Sequence, residues 1–149
     1  KAAGAAGLAA ARAIGMLTYR GGSGYNATQR DVEGSDGVPT SHRACTYQQH
    51  QGQKLVKRFN AYSYVSILNS FDTHDVGRGR GGVKAALQRI TAPTIVVGIT
   101  SDIIFPPEDM QRLATDIPNA VYRRIDSPMG HDGFLVEHAQ LNAILTQFI

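Results

Sequence analysis

The sequence predicts an α/β fold built on a parallel sheet, and three observations in the C-terminal third of the 149-residue chain predict it. The run Thr94-Ile95-Val96-Val97-Gly98-Ile99 is apolar at successive positions, so both of its faces suit burial, as in a central parallel strand covered by helices. A helix opens at Pro106-Pro107-Glu108-Asp109, with proline in its first turn and acids near the positive end of its dipole. A second short strand over residues 120–125 and a last helix from about residue 135 complete an alternation of strand, helix, strand and helix.

The elements follow in order. Residues 4–19 are small and apolar with one charge, Arg12, and read as a buried helix packed close to its neighbours; Gly4, Gly7 and Gly15 leave it dependent on tertiary contacts. Residues 21–39 lose all periodicity and fill with Gly, Ser, Asn, Asp and Thr, the composition of a long surface loop. Over residues 53–71, Leu55, Phe59, Tyr62, Val65 and Leu68 recur every three or four positions, which predicts one amphipathic helix. Residues 72–82 form a loop ending in Gly77-Arg78-Gly79-Arg80-Gly81-Gly82, which lacks the Gly-Lys-Ser/Thr of a phosphate-cradling loop and reads as a connector.

Val83, Ala86, Leu87 and Ile90 mark a short helix that Ala92-Pro93 ends. Met110, Leu113, Ala114 and Ile117 make the buried stripe of the helix after the first strand. The last helix is expected to bury Leu141, Ile144, Leu145 and Phe148. The organisation expected is a core helix over 1–20, a helical lid with loops over 21–82, and over 83–149 the C-terminal part of a core.

Composition narrows the function classes. The net charge of +3 is modest and its Lys and Arg are spread along the chain, which describes solvated surface and not a nucleic-acid groove. A single cysteine, Cys45, excludes an internal disulfide framework and suits a reducing, cytoplasmic compartment. No apolar run approaches the ~20 residues that span a bilayer, and Arg12 interrupts the weak imitation of a signal peptide at the start. The chain begins at Lys1, and only two credible strands appear. It is therefore read as the C-terminal portion of a protein of roughly twice this length or more, its nucleophile upstream.

The chemistry-bearing residues sit around the strands. Ser101-Asp102 lies where the first strand ends, and Gly130-His131-Asp132-Gly133 follows the second. An acid after one strand and a histidine loop after a later one is how an α/β-hydrolase fold presents the last two members of a nucleophile–acid–base triad. Flanking glycines let the backbone bend and the imidazole face a cleft; the plain alternatives are a surface loop histidine for His131 and a helix cap for Asp102. No G-x-S-x-G occurs; Gly21-Gly22-Ser23-Gly24-Tyr25 comes closest and ends in Tyr. His42, His50, His74 and His138 have no metal-ligand spacing, so no metal is expected. Arg12 and Tyr19 are two helical turns apart and project from nearly the same side. Buried in a small-residue helix, Arg12 needs a carboxylate, either a structural one or that of a ligand.

Several of these motifs, in order, resemble the homoserine O-acetyltransferase family. The helix Gly7-Leu8-Ala9-Ala10-Ala11-Arg12-Ala13-Ile14-Gly15-Met16-Leu17-Thr18-Tyr19-Arg20, the lid-like segments 51–64 and 68–75, Ile99-Thr100-Ser101-Asp102-Ile103-Ile104-Phe105-Pro106 and Gly130-His131-Asp132-Gly133-Phe134-Leu135 carry the likeness; residues 21–43 match poorly. The resemblance implies an α/β-hydrolase fold, the C-terminal part of its parallel sheet plus a helical lid. It implies a ping-pong acyltransferase in which an upstream serine takes an acetyl group from acetyl-CoA and passes it to the hydroxyl of L-homoserine. His131 would be the general base and Asp102 its orienting acid; Arg12, assisted by Tyr19, would bind the homoserine carboxylate and Asp132 its ammonium group. Acetyl-CoA would be a co-substrate with no bound cofactor, and the assembly a homodimer containing the N-terminal portion with the serine.

Other readings stay open from the residues alone. These are a related acyltransferase acting on serine or deacetylcephalosporin C, the same enzyme with succinyl-CoA as donor, an ester hydrolase, and a non-catalytic binding module.

Overall fold

A computed structural model describes residues 3–31 and 42–148. Seven α-helices are present among them, α1 (Ala5–Tyr19), α2 (Gly22–Gln29), α3 (Arg43–Arg58), α4 (Ala61–Asp72), α5 (Val83–Leu87), α6 (Pro107–Asp116) and α7 (His138–Phe148). Two strands, β1 (Thr94–Ile99) and β2 (Ala120–Ile125), and a 3-10 turn at Gly130–Leu135 complete the set. The chain divides into two compact units, one within Lys1–Thr18 and Ser23–His74, the other Tyr19–Gly22 with Asp75–Ile149.

In the first unit the small residues of α1 serve close approach. A Cβ on Gly52 of α3 would stand 2.7 Å from the Ala9 carbonyl oxygen, and one on Gly4 would stand 2.7 Å from the Ala61 Cβ of α4. Leu8 and Met16 of α1 are buried, whereas Ile14 and Leu17 are more than half exposed, so α1 is covered along one stripe and not all round as its composition suggests.

Two expectations for this unit are corrected. Part of the loop expected at 21–39 is the helix α2, and residues 32–39 lie outside those described. The poor intrinsic propensity of Gly-Ser-Gly-Tyr is offset by tertiary contact: the Tyr25 ring meets Tyr47 edge-on, and Gln48 Nε2 donates to the Tyr25 hydroxyl. The helix expected over 53–71 is two helices. Phe59 and Asn60 adopt extended backbone, and Asn60 Oδ1 caps α4 by accepting from the Ser63 amide at 2.8 Å. The apolar period survives across the break, but Tyr62, Val65 and Leu68 are exposed.

In the second unit β1 and β2 pair in parallel, with Thr94 opposite Ala120 and Ile99 opposite Ile125. The helix α6 connects them and covers the sheet: Ala114 and Ile117 join Leu87 and Val96 in a buried cluster, with Met110, Leu113, Ala120 and Tyr122 packed against it. Ile125 is fully buried. The end of the chain departs from expectation. The last helix begins at His138, because residues 130–135 wind as a 3-10 turn; none of its residues is fully buried, and Leu145 and Phe148 are exposed.

The start of α3 is tied to Asp31. Its Oδ1 accepts from the Arg43 amide at 2.7 Å and its Oδ2 meets His42 Nδ1. The Arg43 amide bond, with His42 next, holds the Asp31 carboxyl below its ordinary range against the opposing effect of desolvation. A lowered folded-state pKa means that the stabilisation is full above the unfolded pKa and is lost as pH falls through the folded one. The stability gap between wild type and Asp31→Asn, from denaturant melts at several pH values, should be constant near neutrality and close as pH falls below the ordinary carboxylate range. A gap unchanged at low pH refutes the assignment.

Candidate functional site

The parallel register brings the ends of β1 and β2 to one level, and the residues after each strand form the site. Asp102 follows β1 and is 6 % exposed. Its Oδ1 accepts from the amides of Ile104 and Phe105 at 2.8 and 3.1 Å, which fixes the carboxylate and leads the chain toward Pro106. Its Oδ2 lies 2.8 Å from His131 Nδ1. An ionised carboxylate only accepts, so Nδ1 carries the shared proton and Nε2 of the neutral ring holds the lone pair.

His131 sits in the 3-10 turn after β2, three-quarters buried, with the rings of Phe105, Phe134 and Tyr19 at 5.3, 5.7 and 5.9 Å. His131 and Asp102 line one pocket with Phe105, Met110, Phe134 and Leu141. The imidazole is thus oriented by a carboxylate and walled by aromatic surface.

Hydroxyls lock the histidine loop to the end of β1. Ser101 Oγ accepts from the Gly130 amide at 2.8 Å and donates to the Ser127 carbonyl, while Thr100 Oγ1 donates to Asp126 and accepts from the Ser127 amide. The segment Tyr19–Gly22 presses on the same loop. Gly130 has φ +65°, and a Cβ there would collide with the Gly21 nitrogen and with the Arg20 carbonyl carbon at 2.6 Å; a Cβ on Gly21 would strike the Pro128 carbonyl.

Of the residues singled out from sequence, Asp102, His131, Asp132 and Tyr19 meet in this unit. Arg12 belongs to the other, half-buried on α1. Asp132 has a protein partner that sequence reasoning did not supply: Arg20 Nε lies 2.9 Å from its Oδ2. Ser101 and the aromatics Phe105 and Phe134 were also missed, although each neighbours a singled-out residue closely in sequence. Asp75 Oδ1 accepts from the Gly77 amide, a local loop bond beside His74. Among the described residues no group of three or more potential metal ligands occurs, and no helix is long and apolar enough to cross a membrane.

No protein-family model matches the chain. A homoserine O-acetyltransferase of Cyclobacterium marinum is 40% identical over 146 residues, covering 98% of this chain and 41% of that protein. The solved homoserine O-acetyltransferase from Staphylococcus aureus aligns with a TM-score of 0.73 at 27% identity, over 98% of this chain and 42% of the other. Esterase E22 aligns with a TM-score of 0.76 at 19% identity, over 94% and 41%, a likeness of fold. The fold is that of the α/β hydrolases, of which the chain holds a part. The chain spans about two-fifths of the length of the curated relatives it matches.

Gly130 is the position where the loop is least able to accept a side chain. Gly130→Ala should cost more than about 2 kcal/mol, from left-handed backbone strain and overlap with Tyr19–Gly21, as read by thermal melts of the whole protein. A melt indistinguishable from wild type refutes this packing.

Proposed function

We propose that this chain, a homologue of the homoserine O-acetyltransferases along nearly its whole length, supplies the acid and the base of an acyltransferase acting on L-homoserine. The observation that carries the reading is the buried Asp102 carboxylate at 2.8 Å from His131 Nδ1, in a chain 40% identical to an enzyme of that name. The nucleophilic serine lies in a part of the protein outside this sequence.

The chemistry follows from the pair. Nε2 of His131 takes the proton of the serine hydroxyl as its oxygen attacks the thioester carbonyl of acetyl-CoA. The carbon–sulfur bond breaks, the sulfur leaves with the proton returned by the imidazolium, and an acetyl-serine ester remains. The homoserine hydroxyl then gives its proton to Nε2 and attacks the ester. The serine oxygen leaves with that proton, and O-acetylhomoserine is released. Asp102 holds the ring in the required tautomer and stabilises its charged form in both halves.

An acceptor that is a zwitterion needs a cation for its carboxylate and an anion for its ammonium group. Asp132, in the unit that holds His131, serves the second; the family resemblance assigns the first to Arg12, assisted by Tyr19. The reaction belongs to the route to methionine. It proceeds in the cytoplasm, in a homodimer, with acetyl-CoA as co-substrate, no bound cofactor or metal, and neither nucleic acid nor membrane as partner.

Sustained thiol release from acetyl-CoA by the whole protein, beyond the single turnover that acylates the serine, should depend on L-homoserine. Release indifferent to homoserine would make it a hydrolase, whereas no release would sink the acetyl-transfer reading. His131→Ala and Asp102→Asn should each lower turnover by about a thousandfold or more while leaving the melting curve in place; near-normal turnover would remove the pair from the chemistry.

A further inference from the structure

The ion pair between Arg20 and Asp132 joins two segments that the backbone already presses together. Both side chains are three-quarters buried, and Nε stands 2.9 Å from Oδ2. Asp132 follows His131 directly in the 3-10 turn, where successive side chains point about 120° apart. The position of the Asp132 carboxylate therefore sets the distance between the anion and the base of the site. Arg20 is itself held in place, because its carbonyl carbon lies against Gly130 and Gly21 lies against the Pro128 carbonyl.

We propose that Arg20 is a positioning residue for the amino-acid acceptor, holding Asp132 where that carboxylate meets the acceptor's ammonium group. The inference rests on the acyltransferase reading above. A carboxylate has about four lone-pair sites on its two oxygens, so pairing at Oδ2 leaves capacity for an ammonium group. The guanidinium also balances the carboxylate that follows His131 in the turn and keeps it from turning to the imidazolium that forms on His131 in each half-reaction. Arg20 acts through Asp132, the group assigned to the acceptor's ammonium. Its loss should therefore fall on the acceptor step.

The test uses the whole protein with four variants: Arg20→Gln, Arg20→Lys, Asp132→Asn and the double change Arg20→Gln with Asp132→Asn. Two quantities are read, the KM for L-homoserine and the burst of thiol released from acetyl-CoA without acceptor, which reports serine acylation. Arg20→Gln should raise the KM about tenfold, the weight of one charge-assisted contact, with the burst rate within about threefold of wild type. Arg20→Lys should restore most of the loss, and Arg20→Gln should add less than about twofold in the Asp132→Asn background.

Burst and acceptor step falling together, or an undiminished Arg20→Gln effect on top of Asp132→Asn, would overturn the role of Arg20. Should Arg20→Gln melt below the assay temperature, Arg20→Met, which removes the charge and keeps an apolar stem, decides by the same split: a raised KM with the burst retained supports the role, and a joint fall or no change overturns it. A wild-type protein whose thiol release ignores homoserine overturns the acyltransferase reading and this inference together. A wild type that responds to homoserine leaves only the role of Arg20 at stake.

Discussion

Parallel pairing of β1 with β2, in a register that sets Ile99 opposite Ile125, determines where everything else in the second unit stands. Because both strands run the same way, the segments that leave them emerge side by side at one sheet edge. Asp102 leaves the first and His131 follows the second, and a buried carboxylate can orient an imidazole at 2.8 Å only because the two exits coincide. A slip of one residue would turn Ile125 out of the core and carry the histidine loop away from Ser101. The side chains of the α6 stripe keep that register by covering the sheet.

Around this frame, backbone approach does what long side chains do elsewhere. Gly21 and Gly130 let two chain segments touch without intervening Cβ atoms, and the hydroxyls of Thr100 and Ser101 tie off the polar groups this contact buries. The histidine loop is thereby held by several short contacts of low individual strength. Precision at His131 arises from their number and from the rigidity of the strands beneath.

Much of this was legible in the sequence because it follows from local rules. An apolar run bounded by Pro93 and by Ser101-Asp102 has few readings other than a strand, and a Pro-Pro-Glu-Asp start announces a helix. The Asp102–His131 pairing could be anticipated from the order of strand ends. The break at Asn60 was hidden because the apolar period continues through it; the signal that marks it is an asparagine three residues before Ser63, whose amide it caps. The helix α2 was hidden because its residues favour turns and its stability comes from Tyr47 and Gln48, contributed by another helix. Arg20 gave no sign of a partner, since Asp132 lies far along the chain and only folding brings the charges together. Exposure of Leu145 and Phe148 shows the converse error: periodicity identifies an apolar face without saying what covers it.

Asp102 and His131 are contributed by one uninterrupted stretch that runs from β1 through α6 and β2 to the 3-10 turn. The carboxylate and the imidazole are therefore genetically linked as a cassette. Recombination between related genes with breakpoints on either side of this stretch transfers the two together, already matched in register and tautomer. A crossover within α6 would join one parent's carboxylate to the other's imidazole and test whether their loops still fit.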